Sequence, residues 1–484
     1  MTLPGVDVSK SGNNLGLTAP SASRALVIGT STQGTALTTY SFGQVGAITS
    51  ALGRGPAVTA AGHILSVTPG TVDVMVTTGS VAGEVESVTS TCTSGSIGVT
   101  GTPYEAYEGS VTISKAGALG VAEFTFSLDG STQSPAIKTA ATYAMPSTGL
   151  TLSFSSSNYY IGDTATFTTS APCMSAVDVS EMLTEYRKLS RTPTLILVAQ
   201  DNLTASADVF EQVDAQLTLF DNSDIFTQAV VPTGGKDGDT GSVLTEFSSI
   251  DASEGNVIAL VAERDRIAAP SPIMGQARPS VPFAYKVAAR AHRNITRGHL
   301  STMIAEVNAG PLTAVSDPTY DEFVDGEVYK SARIIAPRTF TGRSGTYTNL
   351  DTLKSTLGSD YRYWPWGVVI NRAAQVVSFG LQRYVNTDVE VNTAGTGTIS
   401  EADAALIEAD INAQLDAALK KTLNGRGTRG LVSGVQFSVD RTNNVLSTSN
   451  MLTTTLVVPR AIVTDISAGI SFASSIPVTV TATE

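Results

Sequence analysis

Three histidines, His63, His292 and His299, are the only imidazoles among 484 residues, and they limit the chemistry open to this chain. A zinc-type centre needs three or four convergent ligands. His292 and His299 stand seven apart, with no cysteine or Glu-x-x-His companion, so no metal site is expected. Serine is abundant, but no nucleophile-elbow phrasing supports a Ser-His-acid triad. Gly425-Arg426-Gly427-Thr428-Arg429-Gly430 lacks the Gly-Lys-Ser/Thr ending of a phosphate loop and reads as a turn between a helix and a strand. Carboxylate pairs such as Glu105 and Glu108 are too common to signify glycoside hydrolysis. Cys92 and Cys173 are either small buried hydrophobes or a single disulfide. This residue supply points away from an enzyme, and no cofactor is implied.

Composition narrows the class further. Charged residues make up 15% of the chain, against about a quarter in ordinary globular domains. Short Thr, Ser, Gly and Ala side chains take their place, and these lose little entropy when packed against a neighbour. A formal net charge of −13 argues against a nucleic-acid surface, which needs clustered Lys and Arg. No apolar run reaches the length of a membrane span, and the start, Met1-Thr2-Leu3-Pro4, has no signal-peptide character. The expected product is soluble and made in a cytoplasm.

The elements that must position these residues fall into zones of different texture. Leu3-Pro4-Gly5-Val6-Asp7-Val8 is a short extended segment, followed by a buried-type strand at 24–29. Phe42, Val45, Ile48 and Leu52 recur at near-helical spacing, interrupted at 53–56. Between 66 and 172, period-2 runs at 110–114, 123–127, 150–154 and 164–168 alternate with turn signals, and Lys115 and Lys138 are the only basic residues. Helix and strand then alternate: helix 179–189, strand 194–198, helix 205–220, strands 229–231 and 258–262, and a helix from Phe283 to about Arg297. Residues 302–308 and 333–336 are candidate further strands.

The last third runs Trp364-Pro365-Trp366-Gly367-Val368-Val369-Ile370-Asn371-Arg372, then an apolar-polar stretch through Phe379 and Tyr384 to Val391. A long helix spans 400–423, the Gly425–Gly430 turn follows, and strand-like runs at 432–440 and 452–466 close the block. This order resembles the C-terminal domain of contractile phage tail sheath proteins, including related contractile injection systems. There an Arg-led strand, a long helix, a Gly-rich turn, a strand ending in Asp and a strand running into a Pro-containing segment recur. The Pro-Gly start followed by a strand is also similar to that family. The reading is therefore α+β and multidomain: a mixed α/β sheath core, an inserted all-β domain (sandwich or small barrel) and extended terminal arms. Expected boundaries are an N-terminal arm 1–20, core 21–65, β insertion 66–174, α/β middle domain 175–310, C-terminal sheath domain 311–470 and C-terminal arm 471–484.

What the resemblance implies is a structural subunit that polymerises as stacked six-fold rings around an inner tube and contracts to drive the tube through a host envelope. Its partners would be other copies of itself, the tail tube protein, and baseplate and tail terminator proteins, in a virion tail. Two rival readings are a non-contractile tail tube, capsid or surface-layer subunit and, from another class, a polysaccharide depolymerase. Three sets of residues follow. Pro4, Gly5, Val6 and Val8, with Ile476, Val478 and Val480 in an uncharged β-forming tail, would be inter-subunit arms adding strands to a neighbour's sheet. Left free, that tail would be a sticky edge.

The long helix would be capped by Ser400, with Asp403 completing a capping box. Its apolar stripe would be Leu406, Ile407, Ile411, Leu415, Ala418 and Leu419. Its Glu401, Asp403, Glu408 and Asp410, with Lys420 and Lys421 in the last turn, would face the tube, the alternative being a surface helix packed on its own sheet. On the Phe283 helix, Lys286, Arg290, Arg293 and Arg297 form a basic stripe opposite Ala284, Ala288, Ala291 and Ile295. That stripe is either a plain solvated face or a contact for an acidic patch on a neighbouring subunit.

Overall fold

The computed structural model describes residues 24–128, 133–189, 191–200, 206–233, 240–262, 267–268, 280–296, 321–356, 358–392, 395–420 and 431–461. Both expected arms, the Gly425–Gly430 turn, the 302–308 candidate strand, Arg297, His299 and Lys421 lie outside them.

Consecutive apolar residues, rather than alternating ones, mark the central strands, because both faces of their sheet are covered. This sheet has six strands in the order Ile258–Val261, Ala229–Pro232, Leu195–Ala199, Arg24–Thr30, Thr71–Thr77 and Thr39–Phe42. Neighbours run parallel except at the Thr39–Phe42 edge. Without that edge strand the order is 2-1-3-4-5, a doubly wound α/β arrangement. Alternate side chains divide between two cores. Ala25, Val27, Leu195 and Leu197 pack with the helices Pro56–Val67, Phe283–Thr296, Trp364–Leu381 and Glu401–Leu415. Leu26, Ile28, Ile196 and Val198 pack with Ala176–Arg187, Ser206–Asp221, Thr240–Phe247 and Asp325–Ser331.

The Thr71–Thr77 strand corrects the boundary expected at residue 66. It pairs with Arg24–Thr30 along its whole length and so lies in the α/β sheet, outside the β-rich segment. Its Asp73 is fully buried. That carboxylate accepts from Arg24 Nη1 at 2.6 Å, Arg191 Nη1 at 3.3 Å, Ser41 Oγ at 2.6 Å and the Tyr186 hydroxyl at 2.9 Å. Burial, with the Asp73 charge behind it, pushes the Tyr186 hydroxyl well above its ordinary value.

Every named helix or strand from Val85 to Thr169 is a strand. Five form an antiparallel sheet ordered Val85–Ser90, Thr164–Thr169, Glu108–Lys115, Glu123–Ser127 and Ile137–Lys138. Three more, Thr142–Ala144, Leu150–Phe154 and Ile97–Gly101, form a second. Val111, Ile113, Phe124, Phe154 and Phe167 belong to one apolar cluster of their own, distinct from the two cores on the α/β sheet. Cys92 is half-buried and Cys173 buried, and no disulfide joins them, so that alternative does not hold.

The Trp364 segment is a helix from Trp364 to Leu381. Pro365 is tolerated in its first turn, where the missing N–H costs nothing. Burial of Trp364, Val368, Val369, Ala373 and Val376 on one side outweighs the low helix propensity of Trp-Pro-Trp-Gly-Val-Val-Ile. The Trp364 indole N–H donates to Gln228 Oε1 at 2.6 Å, which ties this helix to the sheet.

Candidate functional site

The C-terminal block converges on the Glu401–Leu415 helix, which continues as a π-helical turn at Asp416–Lys420. Ser400 caps it as expected, accepting from the Asp403 N–H at 3.2 Å. The reciprocal half of the box is replaced: the Asp403 carboxylate accepts from the Glu390 N–H at 2.6 Å and so pins the incoming chain. Ile407, Ile411, Leu415, Ala418 and Leu419 are buried, but Leu406 is 65% exposed and does not belong to the stripe.

The other charged side chains of this helix mostly have partners within the chain. Arg441, just beyond the Val432–Val439 strand, forks over two carboxylates. Its Nε reaches Glu401 Oε2 at 2.6 Å, and its Nη1 reaches Glu408 Oε1 at 2.6 Å. These hydrogen bonds hold both carboxyls below the usual carboxylate range and raise the guanidinium further still. Asp410 meets Arg383 at 2.9 Å and the Tyr384 hydroxyl at 2.9 Å, and Lys420 meets Asp416 at 2.7 Å. Much of the acidic face therefore clamps the hairpin and the preceding helix. Sequence reading missed Arg441, Arg383, Tyr384 and Glu390. The one local signal was the Asp440-Arg441-Thr442 turn, where Asp440 accepts from the Thr442 N–H at 2.7 Å.

The Val432–Val439 and Thr453–Pro459 strands pair with each other in a two-stranded antiparallel sheet. Register decides which residues look inward. Val435 opposite Val457 lies against the core, whereas Leu456 opposite Gln436 and Val458 opposite Gly434 lie on the other face. Leu452, Leu456 and Val458 are 47%, 60% and 55% exposed. Two large aliphatics are open on one strand face, and no third strand pairs with this sheet among the described residues, although on the Val432–Val439 edge Asn412 bonds the Phe437 N–H and carbonyl and Glu408 accepts from the Val439 N–H.

The hairpin is tied down where the described chain ends. The Trp366 indole N–H donates to the Arg460 carbonyl at 2.8 Å. Tyr363 packs edge-on to Trp366 at 4.8 Å, and the Arg362 guanidinium lies 5.1 Å from the centre of the Tyr363 ring.

The Phe283 helix overturns the solvated-face expectation. Lys286 and Arg290 are 6% and 4% exposed, and Ala284, Ala288 and Ala291 are fully buried. Burial pushes the Lys286 amine down to about 8. The same helix buries His292, whose Nδ1 is 2.6 Å from Thr194 Oγ1, and burial moves that imidazole down to about 4. Glu105 and Glu108 part company, Glu105 being fully buried and Glu108 exposed. Among the described residues no three His, Cys, Asp or Glu side chains are grouped to hold a metal, and no helix is long and apolar enough to cross a membrane.

No protein-family model and no curated protein matches the sequence. Solved structures do match, nearly end to end. One is the PVC sheath complex of an extracellular contractile injection system in its contracted state, at 10% identity and a TM-score of 0.54, covering 98% of each chain. A chain of the contracted baseplate of the anti-feeding prophage matches at 13% identity and a TM-score of 0.54, over 97% of this chain and 98% of that one. The helical sheath of the same prophage in its contracted state matches at 11% and 0.52, over 98% and 100%. With its doubly wound sheet, β-rich segment and hairpin-bearing C-terminal block, this chain has the fold seen in the sheaths of these contractile systems.

Proposed function

We propose that this protein is the structural subunit of a contractile tail sheath, without catalytic activity. Copies polymerise as stacked six-fold rings around an inner tube, and contraction of the stack drives the tube through the host envelope. The observation that carries this reading is the open hairpin within a chain that matches contracted sheath proteins over nearly its full length. A contact repeated by rotation plus translation does not close on itself and propagates into a helical cylinder. The extended form is kinetically trapped, and on triggering the subunits rotate as near-rigid bodies.

Within that assembly the arms around Pro4, Gly5, Val6 and Val8 and around Ile476, Val478 and Val480 add strands to a neighbour's hairpin, tethering subunits while other contacts change. The β-rich segment is an inserted domain, which its own apolar cluster supports, and it decorates the outer surface. The Glu401 helix faces the tube, and since Glu401 and Glu408 are engaged by Arg441, its approach to the tube is made by a partly neutralised surface. Tube, baseplate and tail terminator proteins are the other partners, in a virion tail assembled in a host cytoplasm.

Electron microscopy of the purified protein tests the reading: sleeves with an open lumen support it, and discrete closed shells or flat lattices overturn it. Removing residues 471–484 should leave a folded monomer that no longer polymerises. Intact sleeves from that truncation would sink the strand-exchange part while leaving the sheath assignment standing.

A further inference from the structure

In a doubly wound sheet the crevice at the carboxyl ends of the strands, where strand order reverses, is the ligand site, and a helix N-terminus there receives an anion. Here the reversal falls at the Arg24–Thr30 strand, which has Thr71–Thr77 on one side and Leu195–Ala199 on the other. The Pro56–Val67 helix begins at its carboxyl end. Gly55 has φ 131°, and a Cβ there would lie 2.6 Å from the Thr30 carbonyl oxygen. Gly29 brings the same helix onto the strand, since its Cβ would lie 2.9 Å from that of Ala57. The N-cap is Gly55, which has no side chain to offer, and no side-chain cap comes from the helix itself.

The anion comes instead from the β-rich segment. Glu105, fully buried, accepts from the Gly55 N–H at 3.2 Å and from Thr59 Oγ1 at 2.8 Å. Its backbone is fixed from the other side, because the buried Thr169 hydroxyl donates to the Glu105 carbonyl at 3.1 Å and accepts from the Tyr107 N–H at 2.8 Å. Beside this contact lies a cavity of about 270 Å³ whose lining includes Thr30, Arg54, Gly55, Pro103 and Tyr104. We propose that the start of the Pro56–Val67 helix is an anion site occupied in cis by Glu105, so that the β-rich segment is docked in the crevice as an internal ligand. The helix dipole and the cradle of donors hold the carboxylate, and the crevice is closed to an external anion while Glu105 is present.

Hydrogen exchange on the full-length protein tests this with formate as the probe. Glu105→Ala should speed exchange at residues 55–62 about tenfold. Sodium formate should reverse that saturably, and sodium chloride at equal ionic strength should not. Glu105→Gln, which fills the space without the charge, should also exchange faster and should ignore formate. Glu108→Ala, at an exposed position, should behave as wild type. Unchanged exchange in Glu105→Ala, or equal effects of formate and chloride, would overturn the proposal. If Glu105→Ala does not fold, Glu105→Gln decides it, since wild-type exchange in that variant refutes a role for the charge.

Discussion

In the six-stranded sheet Leu26 and Val27 point to opposite faces, and each is fully buried beneath helices of the same chain. In the C-terminal hairpin Val457 and Val458 also point to opposite faces, but only Val457 packs on the core, and Val458 is 55% exposed. Both regions use β-branched and aliphatic residues at neighbouring positions. The difference is how much covering structure the chain itself supplies. The sheet has helices on both sides; the hairpin is covered on one side only, by the Trp364–Leu381 and Glu401–Leu415 helices, and leaves the other face open. An apolar strand face left exposed is what the proposed assembly would cover.

That contrast can be broken first at Trp364, the fully buried anchor between the C-terminal block and the sheet. Trp364→Ala should lower stability by about 3–5 kcal/mol in denaturant unfolding, and a loss near zero would mean the block does not depend on the sheet. Lys286 comes next. Its amine is pushed by burial down to about 8, so between that pH and about 10.4 the unfolded chain binds more protons than the folded one. Wild-type stability should therefore rise with pH through this window. Lys286→Met should rise less steeply there, the remainder belonging to Lys354, whose amine burial also pushes down to about 8, and should be more stable by about 1–3 kcal/mol at neutral pH.

Arg441 acts at the exposed end of the comparison. Because it holds the Glu401 and Glu408 carboxyls low, their contribution is present above about pH 4.3 and fades as pH falls through the folded values. Arg441→Ala should remove that acid-side loss, giving a shallower stability profile below pH 5 in melting experiments. The smallest effect on the monomer belongs to the hairpin. Leu456→Ser combined with Val458→Ser should change its stability by no more than about 0.5 kcal/mol, yet abolish sedimenting particles. Particles that survive would show that the open face is not an assembly surface.

Much of this was legible before any coordinates. Runs such as Ala25-Leu26-Val27-Ile28 announce strands buried on both faces, and the Ser400 cap with its apolar stripe announces a helix. Other features were hidden by competing signals. Trp-Pro-Trp-Gly-Val-Val-Ile carries residues favoured in strands, and its burial against the sheet, with the indole held by Gln228, makes it helical. Lys286 and Arg290 look like a solvent face by composition, but every residue from Phe283 to His292 is buried. Asp73 gave no hint that its strand leaves the β-rich texture, because its partners come from Arg24, Ser41, Tyr186 and Arg191, far off in sequence.

The sequence by itself determined the classes: mixed α and β content, a lightly charged surface, few residues suited to chemistry, and the order of elements that resembles sheath proteins. Those properties are local or compositional, set by periodicity, capping and side-chain type. Tertiary structure alone decided which strand joins which sheet, which charges are clamped, and which apolar residues stay uncovered. Pairing and burial depend on residues brought together from distant parts of the chain, and a side chain's type does not reveal what will lie across from it.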